Sequence, residues 1–525
     1  MMDKESRQIK KEIRKSENSI ILTVLKISLI LIAIGVQIFI FYTFIATTHH
    51  VYNSSVIIYN VFRFIGILYL IYRHDTSAYK MAWMLFIFFA PSFGLCVYFL
   101  WGNNRIRRRK QLEIIEIENK TNYLFEDSFE IENEIKEKDF LVYNQLKYIK
   151  NITSYPATYN QGIKYYNLGD KLFEDLKKDI LNATKYIFME YYIISSGKLT
   201  SEIFSILKEK AKAGIEVIII YDSLGCLGKF DKKTKIDLEN SGIKTYSFNP
   251  PSVLINSYIN NRMHRKIMVI DGEIAYTGGI NLADEYANIK ELYGHWKDSG
   301  IRVVGNSAWN FTLMFLRDLK FLDKKINIDF EKYKIKTNIK KESGFIVSFS
   351  DGPNNRKNPV ESVYMQTIQT SKEYVYITTP YFAISESMLA SILNTARSGV
   401  DVRIILPHIP DKKIVQMSTR SYYEVLLIAG VKVYEYKPGF IHSKSIVSDD
   451  KLAIIGTSNM DFRSMNLNYE CISMIYETGS EIEVKKDFLD MIENSCIEIE
   501  FKNWIKRPMY KKLVESILTA FLAMF

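Results

Sequence analysis

A polar constellation occurs twice in this chain, and that repeat constrains the fold more than any single motif. His264, Lys266 and Asp271 precede Gly278-Gly279-Ile280-Asn281, while His442, Lys444 and Asp449 precede Gly456-Thr457-Ser458-Asn459. The members of each pair, 264 and 442, 266 and 444, 271 and 449, 281 and 459, all differ by 178. A constant offset that includes the polar residues is the mark of a duplicated domain. A second echo supports it: Ala211-Lys212-Ala213-Gly214-Ile215-Glu216-Val217 matches Ala396-Arg397-Ser398-Gly399-Val400-Asp401-Val402, each ending a helix with glycine before a buried strand.

Around the first echo, residues 186–194 read as a strand, 201–213 as a helix and 215–221 as a strand, an order typical of α/β domains. The fold predicted is therefore two homologous α/β/α sandwich halves, residues 153–329 and 330–504, packed with pseudo-twofold symmetry. Residues two apart on a strand project from one face, so His264 points with Lys266 and His442 with Lys444. Each asparagine follows a glycine-containing turn that lets the backbone approach closely. Brought together, the two sets make one pocket suited to a phosphodiester. Lysine ammoniums and amide groups stabilise the non-bridging oxygens, one imidazole attacks phosphorus, and the other protonates the departing alkoxide. The lysines already supply positive charge, so no metal or other cofactor is expected. Cys96, Cys226, Cys471 and Cys496 form no Cys-x-x-Cys pair and read as reduced thiols. His295 reads as a packed or surface residue, His408 has no evident partner, and His49, His50 and His74 read as interfacial.

The first 103 residues differ in kind. A basic tail with Lys4, Arg7, Lys10, Lys11, Arg14 and Lys15 leads into apolar runs at 20–46, 56–72 and 81–101. Three crossings would separate that tail from Arg105, Arg107, Arg108, Arg109 and Lys110, against the positive-inside rule. The expected topology is two transmembrane crossings, with the third run, broken by Pro91 and Gly94, re-entrant or interfacial. The catalytic domain then lies on the cytoplasmic face of the cell membrane. Residues 104–152 are charged and read as a solvated helical linker; 505–525 read as an amphipathic helix packed on the domain or resting on the bilayer. Lys and Arg number 69 against 59 Asp and Glu, a net charge of +10 that favours an anionic partner.

These motifs closely resemble the twin motifs of the phospholipase D superfamily. The stretch Gly456-Thr457-Ser458-Asn459-Met460-Asp461-Phe462-Arg463-Ser464, continuing to Asn468 and Glu470, resembles the bacterial cardiolipin synthase version, as do Thr379-Pro380-Tyr381-Phe382, Gly439-Phe440-Ile441-His442 and Trp296-Lys297-Asp298. The third apolar run, with Ala82-Trp83, Pro91, Gly94, Tyr98 and Gly102, resembles the membrane segment before the catalytic domain of that family. The resemblance implies condensation of two phosphatidylglycerol molecules into cardiolipin and glycerol, with His264 as nucleophile and His442 as acid and then base. It implies that Asp271 and Asp449, although part of the catalytic motif, organise strand ends, and that Asn281 and Asn459 bind phosphate. A carboxylate is expected beside each imidazole to fix its tautomer. Glu470 matches the family position; the residue 178 before it is Leu292, so Asp298 is the preferred first-half partner, with Glu291 behind it. The partners expected are phosphatidylglycerol and anionic membrane lipids, with no nucleic acid.

A hydrolytic phospholipase D would pass the same intermediate to water, and other phosphatidyltransferases would use another alcohol. A nuclease of the superfamily is supported only by the basic charge, and an inactive lipid-binding scaffold is disfavoured by two intact motifs.

Overall fold

The computed structural model describes residues 54–73, 75, 77–102, 106, 108–250, 260–335, 339–355 and 357–522, with scattered helical positions between 28 and 38. The basic tail, most of the first apolar run, His49, His50, His74, Arg105 and Arg107 lie outside the described residues. The chain divides into two compact units.

The smaller unit contains helices Ser54–Tyr72, Ser77–Phe89 and Pro91–Trp101. The third apolar run is two helices that meet at Ala90, with Pro91 in the first turn of the second, where its missing N–H costs nothing. Gly94 lies against the Ile87 backbone, where a Cβ would meet the Ile87 Cα at 3.0 Å, so this glycine lets the hairpin close. Trp83 and Tyr98 meet edge to face at 5.1 Å, and the Tyr79 hydroxyl donates to the Gly102 carbonyl. Phe62, Phe64, Ile65, Leu68 and Ile71 are exposed on the first helix. Among the described residues no helix is long and apolar enough to cross a membrane.

The larger unit holds both halves. In the first sheet the strands run in the order Ile163–Tyr166, Gly300–Val304, Ile274–Gly278, Lys266–Ile270, Tyr186–Tyr191, Glu216–Asp222, Lys244–Phe248. In the second, Phe345–Asp351, Glu470–Tyr476, Leu452–Gly456, Ser445–Ser448, Tyr374–Thr378, Asp401–Pro407 and Lys432–Tyr436 repeat that order. Pairing matches too: the last three strands of each series are parallel and the others antiparallel. Thr158–Tyr159 and Cys496–Glu498 add short edges to the second sheet.

The central strands are buried on both faces, as Tyr186–Tyr191 and Lys266–Ile270 show, and they read as apolar runs for that reason. Helix Asn306–Leu322 is buried almost all round, and its Phe311, Phe315 and Leu319 share one core with Phe188 and Val269 of the first half and Ile346 and Ile475 of the second.

The stretch read as a solvated linker is helical, at Arg108–Thr121, Phe129–Lys138 and Phe140–Thr153, but it is not solvated all round. Ile131 and Ile135, then Val142, Leu146 and Ile149, form apolar rows at helical spacing that join the core. Gln145 donates to the Thr367 hydroxyl at 2.7 Å, and Arg317 to that of Thr121 at 2.9 Å. The surrounding charges conceal this row in the sequence.

Candidate active site

Each histidine is placed by the opposite half. The His264 N–H donates to the Tyr469 carbonyl at 2.9 Å, and the His442 N–H to the Lys297 carbonyl at 2.7 Å. Strand Gly439–Ile441, leading into His442, pairs in parallel with His295–Lys297, while Met263 bridges to Tyr469. The two loops thus exchange partners across the pseudo-twofold axis.

The carboxylates cross as well. His264 Nδ1 lies 2.9 Å from Glu470 Oε1, and His442 Nδ1 lies 2.6 Å from Asp298 Oδ2. Both anticipated carboxylates stand beside an imidazole, but the expected pairing is reversed: each serves the imidazole of the other half. Their equivalence follows from register: Gly278 pairs with Gly300 and Gly456 with Ile472, placing Asp298 and Glu470 each two residues before the matched position. Asp298 comes 17 residues after Asn281 and Glu470 11 after Asn459, so the constant offset breaks between them and lands on exposed Leu292. Glu291 is exposed too and plays no part in this pairing.

Glu470 also accepts from the Thr457 hydroxyl at 2.5 Å and the Asn468 amide at 3.2 Å; Asp298 accepts from the Ser299 N–H at 2.8 Å. Gly279 leaves the room Asp298 needs, since a Cβ there would stand 2.0 Å from its Oδ1. With Nδ1 held by a carboxylate, Nε2 of each imidazole carries the lone pair available for phosphorus.

Lys266 and Lys444 are each 2 % exposed, and each ammonium donates to the carbonyl of the histidine two residues before it. Burial pushes Lys266 down to about 8 and Lys444 to about 7, while both feel the pull of Glu470 and Asp298. His442 is driven down to about 3 by burial and Lys444; burial also lowers His264, against the opposing effect of Glu470. Burial would raise Glu470, but His264 and Lys266 hold it below the usual carboxylate range. Since His264 feels Lys444 and His442 feels Lys266, the two sets share one electrostatic neighbourhood.

The surroundings are unequal. Tyr192 packs on His264 at 4.8 Å, whereas Tyr286, Trp296 and Phe440 surround His442 at 5.5, 5.6 and 5.8 Å. Asn281 accepts from the Ile193 N–H at 3.0 Å and donates to the Tyr286 hydroxyl at 2.7 Å, so it braces the wall. Asn459 touches Asp461 at 3.4 Å, and its buried amide oxygen has no partner among the described residues.

Asp271 and Asp449 stand apart from this chemistry. Both have φ 54°, and their carboxylates accept the N–H groups of Thr184, Lys185 and Tyr186, and of Lys372, Glu373 and Tyr374. Six residues of near-extended chain lie between each and its histidine, roughly 20 Å. They tie strand ends together and touch no reacting group, which corrects their grouping with the catalytic residues.

Sequence reasoning missed several supports. Asp222 takes Arg262 Nε at 2.9 Å and the Met263 N–H at 3.0 Å, fixing the approach to His264; its signal is a carboxylate closing the apolar strand Glu216–Asp222. Arg265, between His264 and Lys266, donates to the Glu470 carbonyl at 3.1 Å and pairs with Asp318 on the other face. A cavity of about 470 Å³ lies on that far side, lined by Arg265, Arg317, Tyr155, Asp351 and Tyr469, away from the histidine pair. His295 meets the Tyr436 hydroxyl at 2.9 Å, and His408 finds in Glu435, at 2.7 Å, a partner that the sequence does not reveal.

Comparison with known proteins agrees with the two-half organisation. The family model described as "Cardiolipin synthase, PLD-like domain" matches residues 176–292 and 364–492, once in each half, and "Phospholipase_D-nuclease N-terminal" matches 61–103. A cardiolipin synthase of Halalkalibacterium halodurans is 33% identical over 88% of this chain and 92% of its own length. This chain belongs to the cardiolipin synthase family of the phospholipase D superfamily. A cardiolipin synthase of Staphylococcus aureus is 35% identical over 85% of this chain and 92% of its own length. The crystal structure of the Haemophilus influenzae phosphatidylserine synthase, with TM-score 0.55 and 15% identity over 72% of this chain and 97% of that one, shares the fold. Cardiolipin synthases are phosphatidyltransferases, and this family's two-half α/β fold is the one described above.

Proposed function

We propose that this enzyme joins two phosphatidylglycerol molecules into cardiolipin and releases glycerol through a phosphatidyl-histidine on His264. The crossed pair His264–Glu470 and His442–Asp298 carries the reading, because it holds two buried imidazoles in the same tautomer beside two lysines. His264 Nε2 attacks phosphorus as the bond to the terminal glycerol oxygen breaks, and His442 gives its proton to that oxygen. His442 then takes the proton of the second phosphatidylglycerol hydroxyl, whose oxygen attacks phosphorus and returns the electron pair to His264. Lys266, Lys444 and the Asn459 amide neutralise the phosphoryl oxygens throughout. Burial and, after it, the lysine charge keep His442 neutral without ligand; a phosphodiester anion in the pocket offsets the lysine part and so favours the proton His442 must donate.

The enzyme is a multi-pass protein of the cell membrane with its catalytic domain on the cytoplasmic face, in this reading. Helices Ser77–Phe89 and Pro91–Trp101, 13 and 11 residues long, measure roughly 20 and 16 Å, well short of a hydrocarbon core of about 30 Å. Their hairpin supports a re-entrant third run, and crossings by the two earlier runs would then put both basic clusters on one side.

Purified enzyme given phosphatidylglycerol is expected to yield cardiolipin and glycerol, and His264→Ala neither. Phosphatidic acid as the main product would favour hydrolysis, and a mixed diester with an added alcohol would favour another acceptor.

A further inference from the structure

Helix Met509–Leu522 has two faces of opposite character. One is docked: Lys512 pairs with Glu424 at 2.8 Å, Thr519 meets the Ser421 hydroxyl at 2.8 Å, and Glu515, 4 % exposed, pairs with Arg507. The other carries Met509, Tyr510, Leu513, Val514 and Ile517, between 43 and 84 % exposed. At helical spacing these five share an arc of about 140°, opposite the docked residues. Lys502, Lys506 and Lys511 are exposed on or just before this helix, against Glu498 and Glu500.

We propose that this outward row is an interfacial docking face for an anionic bilayer surface, seated beside the Asn459 side of the site. An exposed apolar row rimmed by lysines fits the boundary between acyl chains and anionic headgroups, where the lysines reach the phosphates. A second copy of the chain would set the same lysines against one another. The placement follows from packing: Tyr422, next to the docked Ser421, meets Phe382 edge to face at 5.5 Å, and Phe382–Ala383 pairs with Met460–Asp461, immediately after Asn459. Docking therefore sets the height of the pocket above the lipid from which both substrates come.

The proposal rests on the cardiolipin synthase reading, and two independent readouts separate them. Hydrogen exchange of the full chain reconstituted in phosphatidylglycerol vesicles is expected to be slower over residues 509–519 than in phosphatidylcholine vesicles, whatever reaction the enzyme performs. Leu513→Glu with Ile517→Glu is expected to remove that protection and cut cardiolipin formation in phosphatidylglycerol vesicles by about 10-fold, the loss from exposing one or two buried apolar side chains. Activity on monodisperse short-chain phosphatidylglycerol is expected to stay within about 2-fold, since both residues are outside the site. Equal exchange in the two lipids overturns the docking face, as does protection that follows protein concentration instead of lipid, or equal losses on both substrates. Absence of cardiolipin with lipid-dependent protection intact would instead overturn the reaction.

Discussion

His264 and Glu470 are 206 residues apart and belong to different halves, yet the imidazole and carboxylate meet at 2.9 Å. Neither half alone contains an oriented histidine. Glu470→Gln is therefore expected to disable the nucleophile of the first half, lowering kcat by roughly 10²- to 10⁴-fold, the range of positioned proton-transfer groups. Asp298→Asn is expected to strike His442 instead, slowing glycerol release and acceptor activation. Rapid-quench measurement of the covalent intermediate tells them apart: none in Glu470→Gln, and slow formation and decay in Asp298→Asn.

The buried lysines set the pH response. Lys266 at about 8 and Lys444 at about 7 lie below the ordinary lysine value of 10.5, so above these values and up to the ordinary one the unfolded chain binds more protons than the folded chain. Stability is thus expected to rise with pH from about 7 to 10. Activity runs the other way, since kcat/KM of the free enzyme falls as Lys444 and then Lys266 lose their charge. A bound phosphodiester restores those protons, so the alkaline limb of kcat is expected at higher pH than that of kcat/KM. Coincident limbs would contradict the role of both cations.

Asp271 is a structural anchor. Asp271→Ala removes a carboxylate that accepts three backbone N–H groups, and is expected to cost about 3 kcal/mol while leaving kcat of the folded fraction within about 3-fold. Thermal unfolding alongside active-site titration checks both halves of this statement.

The asparagines divide the same way. Asn459→Ala is expected to lower kcat by roughly 10²-fold, as loss of one oxyanion donor does. Asn281→Ala, which unpairs Ile193 and Tyr286, is expected to lower stability more than it lowers kcat. Comparing kcat and Tm for the two variants tests the assignment.

Arg265 reaches the chemistry from behind. Arg265→Met leaves Glu190 and Asp318 buried without their cation and is expected to cost about 3–5 kcal/mol, as breaking a buried pair does. Adding Asp318→Asn is expected to recover part of that stability without restoring kcat, because the link from Arg265 to the Glu470 carbonyl stays broken.

The duplication was legible because it preserves spacing from His264 to Asn281, the stretch where strand, turn and strand admit no insertion. Beyond Asn281 a loop of different length resets the count, so Asp298 could be reached by its motif but not by arithmetic. The exchange of carboxylates was not legible at all: it belongs to the packing of the halves, and local spacing carries no record of which half a side chain will meet. The stretch 108–153 reads as helical in the sequence, but its burial does not show there, since Ile131, Ile135, Val142 and Leu146 are diluted by charge and align only on a helix.

The central claim is that the phosphatidyl group passes through a bond to His264. Enzyme mixed with phosphatidylglycerol, quenched in alkali within one turnover and digested, is expected to carry the phosphorus-containing adduct on the peptide holding His264, and to lose it in Glu470→Gln. An adduct on His442, or full turnover with no histidine adduct, would contradict the account.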